Sequence, residues 1–184
     1  MLPTEIKKEE ADFLKSFLNK NQVVLEWGSG WSTLEFSKYV KEYYSIEHDA
    51  EWYERVRAQA LENTKIYYAP PQTEDFKWEP VYRSGSEEIF KDYIRYPRFL
   101  ASLGKKFDIV FVDGRARLFC ALEALNLIND GAVIFIHDFD RHRYWDVLKK
   151  YRIIGIVGNM VALKENNFQS REEDRYYLIK RYLL

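Results

Sequence analysis

The sequence predicts an α/β fold: a doubly wound, mostly parallel seven-stranded sheet with an antiparallel edge hairpin. Three observations carry this prediction. Short runs rich in β-branched and aromatic residues alternate along the chain with stretches of helical apolar period. Val23-Val24-Leu25-Glu26 runs through Trp27-Gly28-Ser29-Gly30-Trp31 into a helical stretch. Strand, glycine turn and helix in that order present backbone N–H groups to a ligand. Finally, the last two strand runs are joined by Gly158-Asn159, a tight hairpin pair.

The elements follow in order. Residues 4–20 read as an amphipathic helix capped by Thr4, with Phe13, Leu14, Phe17 and Leu18 on its core face. The first strand spans Val23 to Glu26, and a helix capped at Ser32 or Thr33 runs to Val40. Tyr43 to Glu47 is the second strand, and Asp49 caps a helix from Ala50 to about Leu61. Lys65 to Ala69 is the third strand, stopped by Pro70-Pro71. Residues 70–88 are irregular, with Ser84-Gly85-Ser86 as a turn; a helix follows through Tyr93, broken near Pro97. Phe107 to Val112 and Ala132 to Ile136 are near-continuous apolar runs, as strands buried on both faces require. Between them a helix from about Arg117 to Asn129 closes at Asp130-Gly131, and another lies around Arg143 to Tyr151. Ile153 to Val157 and Met160 to Lys164 form the edge hairpin, and Ser170-x-x-Glu173 starts a helix over 171–182, with a terminal strand as the competing reading.

Composition bounds the function. With 184 residues the chain is read as one domain: an N-terminal helix (4–20), a core (21–165) and the C-terminal helix (171–182). With a formal net charge of -1, nothing global argues for nucleic acid or an anionic membrane as partner, which leaves a local basic patch open. One cysteine, Cys120, excludes an internal disulfide framework and a cysteine-based zinc cluster. No apolar run has the length of a membrane span and no leader is visible, so a cytoplasmic location is expected.

Three loops then line up at strand C-terminal ends, where open α/β sheets bind ligands. They are Glu26-Trp27-Gly28-Ser29-Gly30-Trp31, Ile46-Glu47-His48-Asp49 and Val112-Asp113-Gly114. Over roughly residues 20–165 this set resembles the class I S-adenosylmethionine-dependent methyltransferases, whose fold is Rossmann-like. The later part also looks like small methyltransferase-like proteins with Val-Asp-Gly-Arg and an acidic pair after the fifth strand. The resemblance implies S-adenosylmethionine as cofactor, held by Glu26, Gly28, Ser29, Gly30, Ser32, Thr33, Glu47 and His48. Each implied role has a physical basis. Gly28 and Gly30 let the methionine moiety lie against the turn. Glu26 accepts from its ammonium or braces the loop, and Glu47 accepts from the ribose hydroxyls. Ser32 and Thr33 sit where a helix start receives its carboxylate. A dinucleotide is disfavoured, because Thr33 stands where its fingerprint needs a third glycine.

For chemistry, Asp113, His137 and Asp138 are the candidates, at the ends of the fourth and fifth strands. Asp113 either faces substrate or caps the next helix. His137, if neutral, is a general base for a hydroxyl, or else bonds the backbone at the sheet edge. Asp113 and Asp138 match the acids of metal-dependent catechol-type enzymes, but Phe139 stands in place of an oxygen ligand; Asp140 could compensate, as the acidic pair of related macrolide-sugar-type enzymes does, so a divalent metal is left open but not predicted. Arg115, Arg117, Arg141 and Arg143 read either as a basic rim or as surface arginines paired with Asp140 and Asp146. The expected activity is methyl transfer to oxygen or nitrogen of a small molecule. A methyltransferase-like binding protein without turnover, or an NAD-type oxidoreductase, are the alternatives.

Overall fold

The computed structural model describes residues 2, 4–72 and 87–166. The 171–182 element and most of the 70–88 segment, including Ser84-Gly85-Ser86, lie outside them. Seven strands form one sheet in the order β3-β2-β1-β4-β5-β7-β6. They are β1 (Val23–Trp27), β2 (Glu42–Glu47), β3 (Thr64–Tyr68), β4 (Phe107–Val112), β5 (Ile128–Ile136), β6 (Tyr151–Val157) and β7 (Met160–Glu165). β3, β2, β1, β4 and β5 are parallel. β7 pairs antiparallel with both β5 and β6, so the returning strand of the hairpin, not the first, joins the parallel sheet.

Side-chain alternation divides the core into two layers. Val24, Tyr43, Ile109, Phe111, Val133 and Phe135 face one side, with the helices α1 (Lys8–Lys15) and α2 (Trp31–Phe36). Leu25, Tyr44, Ile46, Val110, Val112, Ile134 and Ile136 face the other. There they meet α5 (Pro97–Ser102), α6 (Arg117–Ala124) and a 3-10 segment (His142–Lys149), with α4 (Lys91–Arg95) alongside. α3 (Ala50–Arg57) connects β2 to β3 and buries Val56. β1 has β2 on one side and β4 on the other, so chain direction across the sheet reverses there. A crevice opens at such a switch point.

Several local expectations are corrected. α1 starts at Lys8, not near Thr4; Thr4 Oγ1 instead accepts from the Ile6 N–H (3.1 Å) in the segment before the helix. α2 starts at Trp31, so Ser32 and Thr33 lie inside its first turn rather than capping it. The break expected near Pro97 is present: α4 ends at Arg95 and Pro97 opens α5, as its missing N–H permits. α6 ends at Ala124, and Asp130-Gly131 belongs to β5 rather than to a helix end. The β4–β5 register jumps there, from Phe107↔Ile128 to Ile109↔Val133, and Gly131 takes φ +78 in the exposed excursion. The segment expected as a helix around Arg143 is 3-10. Asp49 caps α3 as expected, accepting from the Trp52 N–H (2.8 Å).

Candidate active site

The loops after β1, β2, β4 and β5 enclose one cavity of about 640 Å³. Gly28, Ser29, Gly30, Ser32, Glu47, His48, Asp113 and Asp138 all line it. Glu26, Thr33 and His137 do not; they lie behind the wall and act on the residues that form it.

The first loop is held from below. Glu26 is fully buried, and its carboxyl oxygens meet the hydroxyls of Ser32 (2.5 Å), Thr33 (2.5 Å) and Ser45 (2.9 Å). Ser45 also meets the Ser29 hydroxyl (2.8 Å), and Thr33 Oγ1 accepts the Gly30 N–H (2.8 Å). Burial pushes the Glu26 carboxyl up to about 8 against the lowering effect of these hydroxyls. Of its two expected roles, bracing the loop is the one it fills.

The two glycines differ. Gly28 has φ +97, and a Cβ there would stand 2.6 Å from the Cα and N of Gly114. Its need for glycine comes from the β4 loop packed behind it. Gly30 has extended backbone, and the nearest atom to a Cβ there would be Trp52 Nε1 at 3.6 Å. Gly30 thus keeps space open rather than relieving backbone strain. The Trp52 indole N–H donates to the Ser29 carbonyl and fixes the loop against α3.

Glu47 is 2% exposed yet lines the cavity. Its Oε1 accepts the N–H groups of His48 (2.7 Å) and Asp49 (2.8 Å), and Oε2 accepts that of Ser29 (2.7 Å). A carboxylate has about four acceptor sites, so roughly one remains, on Oε2. The carboxylate therefore ties the first loop to the second and keeps one site for a ligand hydroxyl. The His48 ring packs edge-on to Phe90 and Tyr93; its Nδ1 lies 2.8 Å from Glu47 Oε1, and its buried Nε2 has no hydrogen-bond partner among the described residues. A buried ring nitrogen normally has one.

The other end of the cavity is ionic. Arg117, 8% exposed, sends Nε to the Gly114 carbonyl (3.0 Å), Nη1 to the His137 carbonyl (2.5 Å) and Nη2 to the Asp113 carbonyl (3.0 Å). The same guanidinium bridges Asp113 Oδ1 (3.1 Å) and Asp138 Oδ2 (3.0 Å). Arg141 completes the group, 2.9 Å from Asp138 Oδ2. Asp138 has φ +55, a conformation unusual for a non-glycine residue, next to its two arginine partners. The pairing of Arg117 and Arg141 with Asp140 and Asp146 is replaced by pairing with Asp113 and Asp138.

His137 is 4% exposed, with Nδ1 3.0 Å from Asp113 Oδ1 and Nε2 3.3 Å from Glu10 Oε2. Burial alone would lower its pKa, but the hydrogen bond and charge of Asp113, with Asp138 beyond, raise it. Asp113 is held ionised: burial opposes this, and Arg117 and His137 outweigh it. The neutral general base expected at His137 is absent, because both ring nitrogens are engaged by carboxylates. Asp113, His137 and Asp138 bring ligand-type atoms within 4.8 Å of one another. The Arg117 guanidinium already bridges the two carboxylates, so this donor set does not fit a divalent ion.

Sequence reasoning did not single out Glu10 or Ser45 for the site, nor the Thr4–Ile6 segment, which forms one wall of the cavity. A charged residue on the apolar side of the first helix, beside Ala11 and Leu14, was the available signal for Glu10.

No family model matches the chain, and no curated protein matches it. Solved structures do resemble it. A methyltransferase-like protein from Silicibacter pomeroyi is 24% identical, with 97% of this chain and 96% of that chain covered and a TM-score of 0.70. The chain has the class I methyltransferase fold. A ribosomal protein L11 methylase from Lactobacillus delbrueckii subsp. bulgaricus shares it at 12% identity, with 91% and 82% covered and a TM-score of 0.59. The MycE methyltransferase, in complex with Mg, SAH and mycinamycin VI, shares it at 12% identity, with 84% and 44% covered and a TM-score of 0.53. Among the described residues, no helix of this methyltransferase-fold protein is long and apolar enough to cross a membrane.

Proposed function

We propose that this protein is an S-adenosylmethionine-dependent methyltransferase acting on oxygen or nitrogen of a small molecule. The observation that carries the reading is the convergence of Gly28–Ser32, Glu47 and Asp113, from three strand ends, on one cavity. The open face of Gly30, the spare acceptor site of Glu47 and the unpartnered His48 Nε2 fit the cofactor. In this reading Ser29 and Gly30 bound the methionine moiety, and Glu47 takes a ribose hydroxyl. His48 meets a further polar group of the ligand. When bound, the cofactor supplies an electrophilic methyl group on a sulfonium.

The acceptor is assigned to the ionic end of the same cavity, against Asp113 and the Thr4–Ile6 wall. A volume of about 640 Å³ lies within the range typical of small-ligand sites. Both contacts of the Asp113 carboxylate fall on Oδ1, so Oδ2 is the oxygen available to a ligand. There it orients a hydroxyl or amine by accepting its proton-bearing bond. As the new bond to carbon forms, that proton becomes strongly acidic, so even a carboxylate with a lowered pKa can take it. Asp138, tied to Arg117 and Arg141, shapes this end of the cavity.

Isothermal titration with S-adenosylmethionine tests the reading, with saturable binding expected. Glu47→Ala is expected to weaken that binding by about 1–3 kcal/mol, the scale of a hydrogen bond to a charged group. Absence of binding to the intact protein at millimolar cofactor would exclude the proposal.

A further inference from the structure

Glu10 is a glutamate on the core face of α1, 1% exposed. A carboxylate buried there is costly unless donors compensate it. Three do. Oε1 accepts the Asn159 N–H (2.7 Å), and Oε2 accepts the Lys7 N–H (2.9 Å) and faces His137 Nε2 (3.3 Å). Burial raises its pKa, and these donors outweigh that, so it stays ionised. The β6–β7 turn makes room for it: a Cβ at Gly158, which has φ +56, would fall 2.4 Å from Glu10 Oε1. Residues from α1, the hairpin turn and the end of β5 are thereby locked together behind the cavity wall.

The geometry sets what this does at Asp113. The His137 ring lies between Glu10 Oε2 and Asp113 Oδ1, and neither ionised oxygen carries a proton, so both ring nitrogens must donate. The charged groups around the ring are Glu10 from α1, Asp113 after β4, Asp138 after β5 and Arg117 from α6. Without Glu10, Nε2 would be buried with no acceptor and Asp113 would lose a fixed donor on Oδ1. We propose that Glu10 is a positioning residue of the site, holding the His137 ring by Nε2 so that Nδ1 fixes Asp113 with Oδ2 toward the methyl acceptor. This inference rests on the reading of Asp113 as the acceptor-facing group.

The test follows the imidazole nitrogens by NMR. The sequence has three histidines, so His48→Gln and His142→Gln assign the spectrum. In the intact protein at pH 7, both His137 ring nitrogens are expected to carry protons. In Glu10→Gln the His137 titration midpoint is expected to fall by about one pH unit or more, the effect of losing a nearby opposite charge. An unprotonated His137 nitrogen at pH 7, or an unchanged midpoint in folded Glu10→Gln, would overturn the proposal. Should Glu10→Gln not fold, Gly158→Ala displaces the carboxylate from the other side while keeping its charge. A smaller fall is expected there, and no change overturns the proposal. S-adenosylmethionine titration of the same samples separates the two readings. Loss of cofactor binding in the intact protein sinks the methyltransferase reading, while the His137 titration still decides the role of Glu10.

Discussion

At the residue scale, two glycines two positions apart answer to different constraints. Gly28→Ala puts a Cβ within 2.6 Å of the Gly114 backbone in a left-handed conformation. It is expected to lower unfolding free energy by about 2–4 kcal/mol, read from urea denaturation. Gly30→Ala meets only Trp52 Nε1, at 3.6 Å, and should leave that free energy unchanged within about 0.5 kcal/mol while narrowing the cavity. Glu26 gives a pH signature. Burial raises its folded pKa to about 8 from an ordinary 4.5, so the native state keeps a proton that the unfolded chain releases. Stability from this group is complete below about 4.5 and declines as pH rises to about 8. Relative to Glu26→Gln, the parent protein should lose about 1.4 kcal/mol per pH unit between pH 5 and 8. Urea midpoints of the pair at several pH values check the slope.

At the element scale, the ends of β4 and β5 are joined by one side chain from the first turn of α6. Arg117 accepts no substitute of similar length, because its planar fork meets three carbonyls and two carboxylates at once. Arg117→Met leaves Asp113 and Asp138 without their shared cation in a buried setting. A loss of about 3–5 kcal/mol in unfolding free energy is expected. Arg117→Lys should recover only part of it, since one ammonium cannot reach both acids and the carbonyls. The N-terminal element acts in the same way at a distance. The segment before α1 lines the cavity, and the buried Glu10 of α1 reaches the histidine behind the cavity wall.

At the scale of the whole molecule, ligand binding to the central cavity should couple to global stability, because its walls come from four strand ends, the Thr4–Ile6 segment, α2, α3 and α6. S-adenosylmethionine at one hundred times its dissociation constant would stabilise the fold by about 2.7 kcal/mol. For a domain of this size that corresponds to a rise in Tm of roughly 5–10 °C, measurable by scanning calorimetry. Glu47→Ala should reduce the rise at the same cofactor concentration.

Much of the molecule was legible in its sequence because the signals are local. Strand runs such as Phe107–Val112 carry their own burial pattern, and Gly28, Gly30, Glu47 and Asp113 follow directly from where those runs end. The sequence by itself determined seven strands, their alternation with helices, and which loops meet at the C-terminal ends of the parallel strands. Tertiary structure alone decided the partners. Glu10 reaches His137 across 127 positions, Arg117 chooses Asp113 and Asp138 over Asp140 and Asp146, and Gly28 packs against the Gly114 backbone. The reason is physical. Periodicity and turn chemistry act within a few residues, whereas a buried charge is satisfied by whatever the packed layers bring within about 3 Å of it.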